Sequence, residues 1–185
     1  MNFNRHSNLE GKHAFLSPSV YHWINYDEQR LTARWVLAQA AARGTALHAL
    51  AHQAIKLGVK LSTANKTLSM YVADAIGYNM SVEQGLYYSD NCFGTADAIS
   101  FRRNQLRIHD LKTGLARTSE KQLMVYAALF CLEYGVSPFD IEIELRIYQS
   151  DEVRTYHPDA DEIVHIMSTI VAFDRRIEIL KEGEL

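Results

Sequence analysis

The chain has 185 residues, and 19 Lys and Arg against 22 Asp and Glu give a formal net charge of −3 at pH 7. The length predicts a single domain over residues 1–185 and leaves no room for a separate cofactor domain. Apolar residues make up 48% and charged residues 22%, which argues against disordered, collagen-like and coiled-coil proteins. The two cysteines, Cys92 and Cys131, are too few for an iron–sulfur cluster.

Periodicity in the first half of the chain predicts two helices and then three strands. A run rich in Ala and Leu over residues 31–57 has helical spacing and ends at Gly58, and a second helix is expected over 64–77. The pattern then changes to short segments in which apolar and polar residues alternate, and these predict an antiparallel meander. The three strands are expected over residues 81–88, 94–102 and 105–112.

The second half of the chain repeats the alternation of helix and strand. A helix is expected over 119–134, a hairpin over 141–149 and 152–156, and a final helix over 160–181 with Asp159 as a candidate cap. This order predicts a mixed α/β or α+β fold with one central sheet flanked by helices. No stretch reaches the roughly 18 apolar residues that span a bilayer, so we expect a cytoplasmic protein without membrane contact.

The chemistry of the chain concentrates at the end of the third predicted strand, in the run LRIHDLKTG. Asp110 and Lys112 point to the same face because side chains alternate along a strand. Asp97 lies on the neighbouring strand, where a short hairpin brings its carboxylate beside that of Asp110. Two converging carboxylates repel each other unless a cation lies between them, and Mg²⁺ or Mn²⁺ suits such oxygen ligands.

Basic side chains concentrate in residues 101–121, which hold six Lys and Arg against two acidic residues, Asp110 and Glu120. A sequence pI near 6.2 argues against indiscriminate coating of DNA. The basic stretch surrounds the Asp110 position, and it therefore predicts an anionic substrate held at one local face.

Four short motifs in order resemble the PD-(D/E)XK nuclease superfamily, in its RecB-like exonuclease branch. They are GTALH (residues 44–48), GTAD (94–97), DLKTG (110–114) and QLMVY (122–126). The branch includes the RecB nuclease domain, the CRISPR-adaptation nucleases and a mitochondrial single-strand DNA exonuclease. The resemblance covers roughly residues 17–126 and implies a restriction-endonuclease-like core. The cysteine cluster of the CRISPR-adaptation nucleases is absent, so no iron–sulfur cluster is expected.

The resemblance also implies a role for each matching residue. His48, Asp97, Asp110 and the backbone carbonyl of Leu111 are the implied metal ligands, and Lys112 the implied group that orients the attacking water. The implied nucleic-acid contacts, or residues that border the site, are Gln122, Tyr126, Thr113, Gly114, Ser17 and Ser19. Thr113 and Gly114 are expected to let the chain turn sharply towards a phosphate.

Two further residues near these motifs have open interpretations. Glu83, on the first predicted strand, is either an additional metal-site acid or a solvated strand residue. His52 follows His48 by four residues, but the intervening Glu of a zinc protease is missing, and packing or solvent contact is the expectation for it. His109 precedes Asp110 and faces the other side of the strand, so a structural role is expected.

Together these patterns predict a deoxyribonuclease that uses one or two Mg²⁺ or Mn²⁺ ions. The resemblance implies an exonuclease acting on single-stranded DNA or DNA ends, in recombination, repair or phage genome processing. A phage source would place it in the host cytoplasm, with a homo-oligomer or a recombination protein as a candidate partner. The alternatives are a structure-specific endonuclease and a non-catalytic nucleic-acid-binding protein on a retained nuclease fold.

Overall fold

The computed structural model describes residues 5–183, and the chain divides into two compact units, residues 1–43 and 44–185. The first unit holds two 3₁₀ helices, Ser7–Leu9 and Pro18–Asn25. The indole N–H of Trp23 donates to the carbonyl of Ser17 over 2.9 Å. The expectation of a single nuclease domain stays a prediction.

Helix α1, Glu28–Leu57, begins and ends at local signals that the sequence carries. The Asp27 carboxylate accepts the backbone N–H of Arg30 over 2.7 Å and so satisfies one of the free donors of the first turn. Gly58 adopts φ +65° after the last turn, a left-handed conformation that costs glycine little, and its N–H donates to the carbonyl of Ile55. The predicted stop at Gly58 is confirmed.

Helix α2, Lys66–Gly77, is shorter than the predicted segment by two residues at its start. The reason is Asn65, whose side chain accepts the N–H of Leu68 over 3.0 Å and so caps the helix. The remaining helices are α3, Lys121–Tyr134, and α4, Ala160–Gly183. Gly135 closes α3 with φ +63°.

The sheet has five strands in the order β1-β2-β3-β4-β5. They are β1 Ser81–Ser89, β2 Cys92–Arg102, β3 Gln105–Leu111, β4 Glu142–Gln149 and β5 Glu152–Tyr156. Strands β3 and β4 are parallel and the other neighbours antiparallel, so the meander and the late hairpin predicted from sequence are both present. Residues 103–104 turn the β2–β3 hairpin and residues 150–151 the β4–β5 hairpin, all four with the positive φ of a type I′ turn.

Two clusters of buried side chains hold the sheet between helices. One joins α3 and α4 to alternate residues of β3 and β4, such as Ile108 and Leu145. The other joins α2 and the second half of α1 to Leu111 and Tyr148. The mixed α+β fold with a central mixed sheet is therefore confirmed. Among the described residues, no helix combines the length and the apolar character that crossing a membrane requires.

The first cluster should dominate the stability of this sheet. Leu145 is 1% exposed at the centre of β4, so Leu145→Ala should lower the free energy of unfolding by about 2–5 kcal/mol through lost burial and a cavity. Leu57→Ala is the control, because Leu57 is 77% exposed and its loss should change stability by about 0.5 kcal/mol or less. Urea unfolding followed by circular dichroism measures both, and equal effects would contradict this assignment of the core.

Candidate metal centre

The site lies where the pairing of β2 with β3 stops. The last paired residues on that side are Ala98 and His109, and the next position places Asp97 across from Asp110. At this position a side chain takes the place of a backbone acceptor from β2: Oδ2 of Asp97 accepts the backbone N–H of Leu111 over 3.0 Å. Leu111, whose carbonyl the resemblance assigns to the metal, thus joins the site through its amide. The antiparallel hairpin brings the two aspartates to one edge, as the spacing predicts.

Asp110 is a buried carboxylate with one oxygen left unpaired. The residue is 4% exposed, and Oδ1 accepts the Lys112 ammonium over 3.0 Å. Oδ2 has no hydrogen-bond partner among the described residues. Burial raises the pKa of Asp110 to about 6, opposed by Lys112 and reinforced by the negative charge of Asp97. A buried oxygen of this kind is costly without a partner, and a hard divalent cation fits it.

Lys112 connects the strand to helix α3. Its Nζ donates to Oδ1 of Asp110 and to Oε1 of Gln122, both over 3.0 Å. The Gln122 amide in turn donates to the hydroxyl of Tyr126 over 3.3 Å, one turn further along the helix. The structure therefore brings Gln122 and Tyr126 to Lys112, while their contact with a nucleic acid stays a prediction.

His48 reaches the same edge from helix α1. Its Nδ1 lies 3.5 Å from Oδ2 of Asp97, and the two side chains are 29% and 22% exposed. The ligand-capable atoms of His48, His52 and Asp97 all lie within 4.8 Å of one another. His48 therefore lies within reach of a cation shared with Asp97.

Two motif glycines are explained by close contacts with other motif residues. A Cβ atom at Gly44 would lie 2.8 Å from Oγ1 of Thr113, and one at Gly94 would lie 2.9 Å from Cε1 of Tyr126. Real Cβ atoms do not approach other atoms so closely, so any larger residue at either position would displace the neighbouring side chain. The glycines of GTALH and GTAD thus make room for side chains of the other two motifs.

Gly114 does not have the role that the sequence suggests for it. Its backbone is not left-handed, and a Cβ atom there would meet open space, so the turn after Lys112 does not depend on glycine. The turn is held instead by buried Gln149 of β4, whose amide donates to the carbonyls of Gly114 and Ala116 over 2.6 and 2.8 Å. Phosphate contact by Thr113 and Gly114 stays a prediction.

Glu83 and His52 form a pair at the rim of the site. Oε1 of Glu83 lies 2.7 Å from Nδ1 of His52, and this contact lowers the pKa of the Glu83 carboxyl. His52 is 6% exposed, which bears out the packing expected of it, but the ring also lies in the cluster with His48 and Asp97. The i, i+4 spacing of His48 and His52 was the available signal for this proximity.

Tyr71 of α2 is a residue that sequence reasoning missed. Its side chain is fully buried, and its hydroxyl has no hydrogen-bond partner among the described residues. Burial raises the pKa of Tyr71 well above its ordinary value, and the charges of Asp97 and Asp110 raise it further. The phenol therefore lies within the negative field of the two aspartates. No motif marks it, because its position depends on how α2 packs on the sheet.

A buried polar network lies on the other side of β3 from Asp110. His109 is fully buried, and its Nδ1 lies 3.2 Å from the hydroxyl of Tyr148, which donates to Asp74 over 2.6 Å. Arg146 also donates to Asp74, over 2.8 Å. Burial lowers the pKa of His109 to about 3, helped by the nearby positive charge of Arg146. The structural role expected for His109 is confirmed.

The basic stretch surrounds the site only in part. The guanidinium of Arg107 forms an ion pair with Glu144 and donates to the side chain of Gln105. It also lies over the ring of Tyr78. Arg102 and Arg103 are exposed at the other end of β3, about 20 Å from Asp110 at ~3.3 Å per residue. Of the six basic side chains in this stretch, that of Lys112 lies in the site. Arg117 and Lys121 follow it in the chain, and both are exposed.

Ser17 and Ser19 belong to the first unit. Ser17 immediately precedes the 3₁₀ helix Pro18–Asn25, and the two hydroxyls lie 2.8 Å apart. Their contact with a phosphate stays a prediction.

Asp110 should destabilise the metal-free protein at neutral pH. A carboxyl whose pKa rises from 3.8 in the unfolded chain to about 6 in the folded one binds a proton more tightly when folded, so stability falls as pH rises from about 4 to 6. Asp110→Asn removes this loss, and in EDTA the variant should exceed the wild type by up to about 3 kcal/mol above pH 6.

Urea unfolding between pH 4 and 8 in EDTA measures this difference. Asp161→Asn, at an exposed position in the first turn of α4, is the control and should show no such gain with pH. A difference between Asp110→Asn and the wild type that stays constant over this range would show that the carboxyl does not titrate as its burial requires.

Comparison with known proteins gives one match to this chain. No curated protein and no solved structure matches it. The model of one family matches residues 67–184, more than half of the chain, a range that includes Asp97, Asp110, Lys112 and the α3 residues but neither His48 nor His52. The chain therefore belongs to the family described as "Protein of unknown function (DUF2800)".

Proposed function

We propose that this protein is a metal-dependent DNA exonuclease that hydrolyses phosphodiester bonds. The observation that carries the proposal is the buried Asp110, held by Lys112 on one oxygen and unpaired on the other, across the strand pair from Asp97, which His48 approaches in turn. The free carboxylate oxygen can bind a metal cation, and the ammonium beside it can donate a proton or a hydrogen bond. Together they suit a reaction at one anionic group, such as a phosphodiester.

The ligands for Mg²⁺ or Mn²⁺ would be Asp97, Asp110, His48 and the carbonyl of Leu111. The unpaired Oδ2 of Asp110 supports this set, since it is a buried carboxylate oxygen that the described residues leave without a partner. When bound, such an ion lowers the pKa of a water molecule and screens the charge of a phosphate.

Lys112 would act on the reacting phosphate itself. Its side chain is 26% exposed and its ammonium is held from two sides by Asp110 and Gln122, so its position is fixed before substrate binds. A positive charge fixed where negative charge develops favours the transition state over the ground state. Gln122 and Tyr126 would border the phosphate on the α3 side.

The cavity beside the site is small, which favours a polymer over an enclosed small molecule as substrate. A cavity of about 160 Å³ adjoins Lys112 and is lined by Thr113, Gly114, Asn65 and Ser150 among others. Pockets that enclose small-molecule ligands typically measure roughly 300–1,000 Å³, so this one is too small to enclose such a substrate. An open edge of the sheet with exposed Arg117 and Lys121 nearby in the chain suits the backbone of a nucleic acid.

Removing the ammonium should abolish cleavage without unfolding the protein. Lys112→Ala should reduce the rate of hydrolysis at least about 100-fold, because the group acts where charge develops. Lys60→Ala is the control, since Lys60 is exposed in the segment between α1 and α2, and it should keep the wild-type rate. The assay uses single- and double-stranded oligonucleotides labelled at the 5′ or 3′ end, with Mg²⁺, Mn²⁺ or EDTA. Full activity of folded Lys112→Ala would overturn the mechanism.

The same assay separates the exonuclease from its alternatives. Linear DNA should be degraded while a covalently closed circle survives, because an exonuclease needs an end. Loss of the circle would identify an endonuclease. Binding of DNA without hydrolysis in any of the metal conditions would identify a non-catalytic protein on a nuclease fold.

A further inference from the structure

Two histidines and one aspartate form a second set of candidate ligands beside the aspartate pair. His48 and His52 lie one turn apart on α1, with ring centroids 6.1 Å apart and ring planes nearly perpendicular. Together with Asp97 they offer three ligand atoms within 4.8 Å of one another. The resemblance to nucleases assigns no role to His52.

His52 has a buried nitrogen that lacks a partner. The residue is 94% buried, and its Nε2 makes no hydrogen bond to any of the described residues. Leaving a polar atom buried and unpaired costs free energy, and such groups in folded proteins are usually paired with water, an ion or a ligand. Nε2 of His52 is therefore a candidate to bind a partner that the described residues do not supply, such as an ion.

The Glu83 carboxylate lies against the other nitrogen of the same ring, at ion-pair distance although outside hydrogen-bond geometry. Its Oε1 lies 2.7 Å from Nδ1 of His52, which favours the proton on Nδ1 and leaves the lone pair on Nε2. Histidines that bind metals usually contact a carboxylate through the second nitrogen in this way. Lys56 lies 3.7 Å from the other oxygen of Glu83 and helps to hold it.

The backbone at Glu83 supports a function for this arrangement. Glu83 has φ +51° within β1, a left-handed conformation that is unfavourable for a residue with a side chain. Residues 82 and 84 pair with Ala98 and Ala96, so Glu83 and Asp97 face each other at an interruption of the ladder. Strain of this kind persists where the surrounding structure requires it, and it is most common at functional sites.

We propose that His48, His52 and Asp97 bind a first-row transition metal ion, with Glu83 orienting His52. Two imidazole nitrogens and one carboxylate favour Mn²⁺, Fe²⁺, Co²⁺ or Zn²⁺ over Mg²⁺, which prefers oxygen ligands. Asp97 would be shared between this ion and the one held with Asp110, and His48, with one free lone pair, would serve this ion in place of the one held with Asp110. The inference deepens the proposed nuclease function, on which it rests, by assigning the kind of metal that the site selects.

The test is a titration of the full chain with Co²⁺ alone and with Mg²⁺ alone. Co²⁺ binding is followed by visible absorption and calorimetry, and Mg²⁺ binding by calorimetry. His52→Asn places a short amide near the Nδ1 position and removes Nε2, so it should weaken Co²⁺ binding at least tenfold and leave Mg²⁺ binding within about threefold. Asp110→Asn should do the reverse. His165→Gln, at an exposed position in α4, should change neither affinity.

Glu83→Gln provides a second route if His52→Asn does not fold, which circular dichroism reveals. It should weaken Co²⁺ binding about 10–100-fold, as expected for the loss of a residue that orients a ligand. Wild-type affinity for Co²⁺ in the folded His52→Asn or Glu83→Gln variant would overturn the inference. A Co²⁺ site that depends on His52 in a protein that cleaves no DNA would instead refute only the nuclease function.

Discussion

The contact between Lys112 and Asp110 sets the character of the whole site. Asp110 is almost completely buried, and one of its oxygens meets only the ammonium, over 3.0 Å. Burying a carboxylate costs free energy of folding. The ion pair offsets part of that penalty but leaves the second oxygen without a hydrogen-bond partner. Burial of this carboxylate thereby lowers the stability of the folded protein at one strand end.

The rest of the fold serves to keep that strand end in place. Parallel pairing of β3 with β4 continues to Leu111 and Tyr148, and the N–H of Lys112 donates to the carbonyl of Tyr148. Gln149 then holds the turn that follows. Since β4 is covered by helices on both faces, the end of β3 is attached to the most buried strand of the sheet.

Much of this arrangement was predictable from sequence, because it depends on local patterns. Alternation gave the strands, and the hairpin of β2 and β3 brought Asp97 to Asp110 by register alone. The geometry around Glu83 was not predictable, because a left-handed residue inside a strand has no signature when that residue is a glutamate. The burial of the Tyr71 hydroxyl and the ion pair of Arg107 with Glu144 were not predictable either. Both depend on packing between elements that are distant in the chain.

The buried network beneath β3 has a consequence for how the protein senses acidity. With its pKa near 3, His109 stays uncharged at physiological pH, because it is buried and because the guanidinium of Arg146 lies nearby. The interior behind the aspartates thus presents an unchanging electrical background. Within the physiological range, the group that titrates lies at the strand end instead: it is the buried carboxyl of Asp110, whose pKa is about 6.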